Sequence, residues 1–258
     1  MLIPIHDARL YCEDSGGAGP LVVLLHAGTG SAPMWRHQVP ALAGAGMRVI
    51  AYDRCGHGKS EGPGSGVASQ DLRALLDAHR VEKCHLVGTA AGAIVALDFA
   101  LSSAARVAKL ILANTHLGVQ DDDYVALQKR LRPSPQFDAL PSDVKELGPA
   151  YRAANPEGVQ RWLELERQSR QKGALTLPKI ANRITYEALG ALATPTLLLT
   201  GDADLYMPTP VLRLLASKIR GATTEVVPEC GHSAYWEQPE LFNRLVLSFL
   251  ENRGQSPI

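Results

Sequence analysis

The chain has 258 residues, 46% of them hydrophobic, with 26 basic and 26 acidic side chains; that is enough to bury the core of one domain with room for an inserted subdomain. Balanced charge offers no field for gathering nucleic acid, and no apolar run reaches the roughly 18 residues of a bilayer span. The expected partner is therefore a small-molecule substrate, with no nucleic acid and no membrane.

Cys12, Cys55, Cys84 and Cys230 lie far apart without a C-x-x-C pair, which fits neither a disulfide framework nor a zinc site. The opening "MLIPIHDARLYCEDSGG" has no basic region leading into an apolar stretch, so no targeting peptide is expected and a cytoplasmic location is. It alternates instead like a short strand pair. The oligomeric state is left open, a homodimer included.

Along the chain, apolar runs then recur at "LVVLLH" (21–26), "RVIAYD" (48–53), "CHLVG" (84–88), "KLILANT" (109–115), "PTLLLTG" (195–201) and "TTEVVPE" (223–229). Most are rich in Val, Leu and Ile without polar alternation, which predicts buried parallel strands covered on both faces. Helix-period segments at 69–79, 91–101, 210–219 and 239–251 separate them. Strands alternating with helices predict an α/β fold with a mostly parallel central sheet and helices on both faces.

The rhythm breaks between 117 and 186. There the chain offers polar helical stretches such as "DYVALQKRLR" and "NPEGVQRWLELERQSRQKG", punctuated by Pro133, Pro135, Pro141 and Pro156. The acidic run Asp121-Asp122-Asp123 reads as a solvated loop or helix start. The segment leaves after one strand and returns before the next, so the expected division is a core of 1–116 and 187–258 with a helical cap at 117–186. Ligands of open α/β sheets sit outside the carboxyl ends of the strands, where such an insertion would roof the crevice.

The chemistry-bearing motifs lie at those strand ends. "GTAAG" (88–92) joins an apolar strand to an apolar helix through small residues, as a close strand-to-helix crossing requires. Together with "HAGTGS" (26–31), "DRCGHGKS" (53–60), "GDADLYMP" (201–208) and "CGHSAYWEQPELF" (230–242), it resembles the α/β-hydrolase family over nearly the whole chain. That resemblance implies a triad in the chain order nucleophile, acid, histidine, at Ala90, Asp204 and His232. Asp204 is preferred to Asp202 because the family pattern G-x-x-D followed by Pro is met by Gly201, Asp204 and Pro208. The resemblance also implies an oxyanion hole built from the backbone N–H groups of Gly28 and Ala91. Ala27 stands where glycine is commoner, His26 is read as scaffold, and Asp53, Arg54 and His57 are read as fixing their loop. Thr89 precedes the nucleophile position and should project elsewhere. Cys55 and Cys230 read as small buried side chains.

Candidates for substrate contact are Thr29 beside the anion site, His116 at the junction with the insertion, and Tyr151, Arg152 and Trp162 within it. Tyr124, Arg161 and Arg167 are further polar or aromatic residues of that segment. No cofactor is implied, because "HAGTGSA" lacks the G-x-G-x-x-G spacing, and no histidine–carboxylate cluster has metal-ligand spacing.

Ala90 has no hydroxyl, and three readings follow. The chain is an inactivated serine-to-alanine form of a hydrolase for an ester, lactone, thioester or activated carbon–carbon bond. Alternatively, it is a naturally serine-less enzyme, doing lyase, isomerase or hydration chemistry with His232 as general base held by Asp204. In the third reading it is a hydrolase-like binding protein, against which the joint presence of the acid and the histidine weighs.

Overall fold

The computed structural model describes residues 1–132, 135–169 and 177–251. Of the predicted punctuation, Pro133 lies outside the described residues, as do the end of the stretch "NPEGVQRWLELERQSRQKG" and the last seven residues of the chain.

An N-terminal hairpin, β1 (Leu2–Ile5) and β2 (Ala8–Asp14), leads into β3 (Leu21–Leu25), α1 (Gln38–Gly44), β4 (Arg48–Tyr52), α2 (Ala68–Ala78), β5 (Cys84–Thr89), α3 (Ala91–Ser102) and β6 (Val107–Ala113). Among the described residues, helices α4 (Asp122–Leu131), α5 (Ser142–Glu146), α6 (Pro149–Ala154), α7 (Pro156–Ser169) and α8 (Tyr186–Gly190) follow. The chain then returns through β7 (Thr196–Gly201), α9 (Thr209–Ala216), β8 (Thr223–Val227), α10 (Ala234–Glu237) and α11 (Pro239–Glu251). The sheet runs β1-β2-β4-β3-β5-β6-β7-β8, antiparallel at the β1–β2 and β2–β4 pairs and parallel from there on.

Apolar runs without polar alternation arise because the sheet has a core on each face. Along β3, Leu21, Val23 and Leu25 enter one core while Val22 and Leu24 enter the other; in β6, Leu110 and Leu112 oppose Ile111 and Ala113 in the same way. Successive side chains of a strand point to opposite faces, so a strand covered on both sides must be apolar throughout. Helices α2, α3 and α9 cover the first face, and α1, α10 and α11 the second. In α3, every residue from Ala91 to Ala100 is buried, including Asp98; an all-round apolar helix belongs inside a fold.

One expectation is corrected. The run "TTEVVPE" reads as a buried strand, yet in β8 only Val227 is buried. The strand pairs with β7 alone and forms the sheet's edge, so its threonines and Glu225 face outward. Among the described residues, no helix is long and apolar enough to cross a membrane. Between β6 and β7 the regular elements among the described residues are helices, and the segment's entry is tied to its exit: Gln120 N–H donates to Ile184 O (2.9 Å) and Tyr186 N–H to the Asp121 carboxylate (2.9 Å). Tyr186 is already the first residue of α8.

Candidate active site

The centre of the site is the bend between β5 and α3. Ala90 adopts φ 48° and ψ −116°, a left-handed conformation that costs a side-chain-bearing residue about 1–3 kcal/mol. Its N–H donates to Ala113 O (3.0 Å), and its carbonyl accepts from Ala93 N–H (3.2 Å) to start the helix. A Cβ on Gly88 would stand 2.6 Å from the backbone of Ala93, and one on Gly92 would overlap the carbonyl oxygen of Leu25. The small residues of "GTAAG" are thus steric requirements. Thr89 ends β5, and its hydroxyl is buried with no hydrogen-bond partner among the described residues.

Two further strand ends bring in the acid and the histidine. His232 Nδ1 donates to both oxygens of Asp204, at 2.9 and 2.8 Å. A carboxylate only accepts, so the ring proton is on Nδ1 and the basic atom is Nε2. Asp204 also receives Asn114 Nδ2–H (3.0 Å), Thr200 Oγ1–H (3.1 Å), Tyr206 N–H (2.8 Å) and Met207 N–H (3.0 Å). Burial alone would raise its pKa; the charge of His232 and these donors outweigh burial and hold it below the usual carboxylate range. For His232, burial acts to lower the pKa, while Asp204 overrides it and raises it.

The loop before α10 is itself held by a buried carboxylate. Glu237 accepts from Gly231 N–H (3.0 Å), Ser233 N–H (3.2 Å) and Gly148 N–H (2.8 Å), which pins the histidine loop to the turn between α5 and α6. On the other side, His26 Nδ1–H donates to Ala27 O (2.7 Å) and Nε2 accepts from Arg54 N–H (3.0 Å). Asp53 accepts from Ala32 N–H (2.6 Å) and Lys59 N–H (2.7 Å), holding "DRCGHGKS" as structure. Burial and then Arg54 depress the His57 pKa to about 4, so that ring is neutral. Burial, with Asp71 nearby, pushes the Cys55 thiol up to about 12, and burial likewise raises Cys230; neither is a thiolate.

A cavity of about 190 Å³ brings Gly28, Thr29, Ala90, Ala91, His116 and His232 together. His116 Nδ1 accepts from Gly118 N–H (3.2 Å), leaving Nε2–H as a donor, and burial lowers its pKa to about 4. The remaining candidates for substrate contact lie elsewhere, which corrects the expectation. Tyr151 lines a separate cleft with Glu229, Gln238 and Arg244. Trp162 is fully buried in the core beneath the sheet's second face. Arg152, on the same short helix as Tyr151, borders neither space. Helix amphipathicity explains the miss, since α7 spends its aromatic face on packing. Arg161 pairs with Glu164 (3.1 Å) on the surface, and Tyr124 donates its hydroxyl to His116 O (3.2 Å).

Several residues lining the cavity are not singled out by the sequence, Asn114, Arg132, Glu146 and Tyr206 among them. Asn114 had a usable signal, standing just beyond the carboxyl end of β6, where its left-handed φ of 48° suits Asn. Tyr206 packs on the His232 ring at 4.4 Å between centroids, and the Arg132 guanidinium lies 5.6 Å from the Tyr206 ring centre. Arg132 and Glu146 come from the β6–β7 segment, where nothing in spacing separates a lining residue from a solvated one.

Residues 22–245 match the alpha/beta hydrolase family. A 2-hydroxy-6-oxononadienedioate/2-hydroxy-6-oxononatrienedioate hydrolase of Paraburkholderia xenovorans is 30% identical over 95% of this chain and 91% of its own. A Variovorax paradoxus protein designated a carbamate hydrolase is 33% identical over 93% of this chain and 96% of its own. Among solved structures, a thermophilic esterase of Thermogutta terrifontis superposes with a TM-score of 0.76 at 26% identity, covering 94% of this chain and 93% of that one. With the strand-to-helix bend, the acid and the histidine each at the end of its own parallel strand, the chain belongs to the alpha/beta hydrolase family.

Proposed function

We propose that the chain is a hydrolase of small carbonyl compounds (an ester, lactone, carbamate or activated carbon–carbon bond) that uses water in place of a side-chain nucleophile. The observation carrying this reading is the His232–Asp204 pair at 2.8 Å beside a methyl group at position 90. His232 Nε2 takes a proton from water as its oxygen attacks the carbonyl carbon, and Asp204 stabilises the imidazolium. The N–H groups of Gly28 and Ala91, the latter at the start of α3, stabilise the resulting oxyanion. The insertion acts as a cap, contributing Arg132 and Glu146 to the cavity. The substrates named for the relatives, an oxo-dienedioate and a carbamate, share the electrophilic carbonyl this scheme needs.

A second reading has one observation in its favour: the strained φ of Ala90 is the posture an attacking serine needs. In that reading the chain is an inactivated form of a serine hydrolase. One experiment separates the two. The unaltered chain, His232→Ala and Ala90→Ser are assayed on aryl esters, lactones and carbamates, and each is exposed to a fluorophosphonate. Under the proposal the unaltered chain turns over without labelling, and His232→Ala loses about 10²–10⁴-fold in kcat. An inert chain whose Ala90→Ser variant labels and turns over establishes the second reading instead.

A further inference from the structure

Outside the pair already described, the cavity holds one more buried carboxyl group. Glu146 is the last residue of α5 and is 7% exposed, and it lines the same space as Ala90, Arg132, Tyr206 and His232. Three other buried carboxylates are well supplied with donors: Asp204 receives five, Asp98 is held by Ser69, Ala181 and Asn182, and Glu237 by three backbone N–H groups. Among the described residues, no hydrogen bond reaches the carboxyl group of Glu146. A buried carboxyl without donors favours its neutral, proton-bearing form.

We propose that Glu146 is a catalytic residue of this cavity, the general acid that protonates the leaving atom while His232 activates water. This rests on the hydrolase reading above. With no side-chain nucleophile there is no acyl-enzyme, so attack and departure occur on one tetrahedral centre within a single visit to the site. The water oxygen bonds to the carbonyl carbon as its proton passes to His232 Nε2, and the carbonyl electron pair moves to oxygen. The C=O bond then re-forms and the bond to the leaving atom breaks. That atom takes the proton of the Glu146 carboxyl, leaving a carboxylate. After release, the proton on His232 returns to Glu146 through solvent, so the net reaction is addition of one water across the broken bond.

The surrounding charges suit this role. Burial first, then Asp204 and Glu166, push the Glu146 pKa up, with His232 and Lys145 opposing, and it settles at about 7. Tyr206 and Tyr235 also face it, and Arg132, which lines the same cavity, lies 5.6 Å from the Tyr206 ring centre. The productive state pairs protonated Glu146 with neutral His232, so turnover should fall below the His232 pKa and again above about 7.

The test compares Glu146→Gln, Glu146→Asp and the unaltered chain on two matched esters, one with a nitrophenolate leaving group and one with an alkoxide. Nitrophenolate needs little protonation to leave, whereas alkoxide needs it fully. The expected result is a kcat loss in Glu146→Gln about 10²-fold larger on the alkyl ester than on the nitrophenyl ester. The alkaline limb of the alkyl-ester profile should vanish in Glu146→Gln and persist in Glu146→Asp. Equal losses on both esters, or an alkaline limb unchanged in Glu146→Gln, overturns the proposal while leaving the hydrolase reading intact. No turnover of either ester by the unaltered chain overturns both.

Discussion

Glu146 ties function to stability through one proton. Its carboxyl group is neutral in the folded chain up to about pH 7, whereas an unfolded chain ionises it in the ordinary carboxylate range. Between those values the native state binds the extra proton, so its stability contribution is full at low pH and is lost as pH rises towards 7. Glu146→Gln removes the titration but keeps the shape. It is expected to match the unaltered chain at pH 4 and to exceed it at pH 8 by on the order of 1–3 kcal/mol. Urea denaturation at the two values checks this, and an equal difference at both would show that the carboxyl group does not titrate across the interval. Asp204 has the opposite sign: its depressed pKa supports the fold above the ordinary carboxylate range and ceases to as pH falls.

Among the elements, the bend between β5 and α3 stores the most evident strain. Ala90 holds its left-handed φ because Ala113 O anchors its N–H and the helix N-terminus is locked against β3 through Gly92. Ala90→Gly should therefore stabilise the chain by about 1 kcal/mol, since glycine adopts that φ without the penalty. Gly92→Ala should cost about 3 kcal/mol or more, because the new Cβ meets a carbonyl oxygen of a central strand that has nowhere to move. Thermal melts of the two variants, moving in opposite directions, are the check. A destabilised Ala90→Gly would show that the methyl group itself packs productively at the bend.

Across the whole molecule, the buried Asp98 of α3 joins three parts of the fold. Its carboxylate accepts from Ser69 of α2 and from Ala181 N–H (2.9 Å) and Asn182 N–H (2.8 Å), on the path by which the β6–β7 segment returns. The same segment is held at the anion side of the cavity, where Ser169 donates its hydroxyl to Thr29 O (2.8 Å). Asp98→Ala leaves the buried Ser69 hydroxyl and the partly buried N–H groups of Ala181 and Asn182 without their acceptor and is expected to cost about 2–4 kcal/mol. Hydrogen exchange should quicken between 177 and 190, with protection of β3 and β5 retained well above it. Uniform acceleration throughout would mean that Asp98 supports the core as a whole rather than the returning segment.

How far the chain could be read in one dimension follows from the range of the interactions. Apolar runs, small residues at a tight crossing and a Gly-His pair before a helix are local consequences of strand burial, steric limits and loop geometry. They were enough to predict the parallel sheet, and the resemblance of the motifs to a known family supplied the order Ala90, Asp204, His232. Edge and centre are not local: "TTEVVPE" resembles its neighbours in composition, and its exposure comes from having a partner on one side only. The lining of the cavity is less local still. Tyr151 and Trp162 carry the chemistry expected of a pocket but are turned to another cleft and to the core, while Arg132, Glu146 and Tyr206 converge on His232 from separate segments. Sequence by itself determined the scaffold, because strand burial and tight crossings are near-neighbour effects; Asp204 and His232 were named only through the motifs' resemblance to a known family, and the fold joins them across 28 residues. The tertiary structure decided that Glu146, a carboxyl group without hydrogen-bond donors among the described residues, lines the same cavity as Ala90 and His232, because only the packing of the helical segment on the strand ends brings such distant positions together.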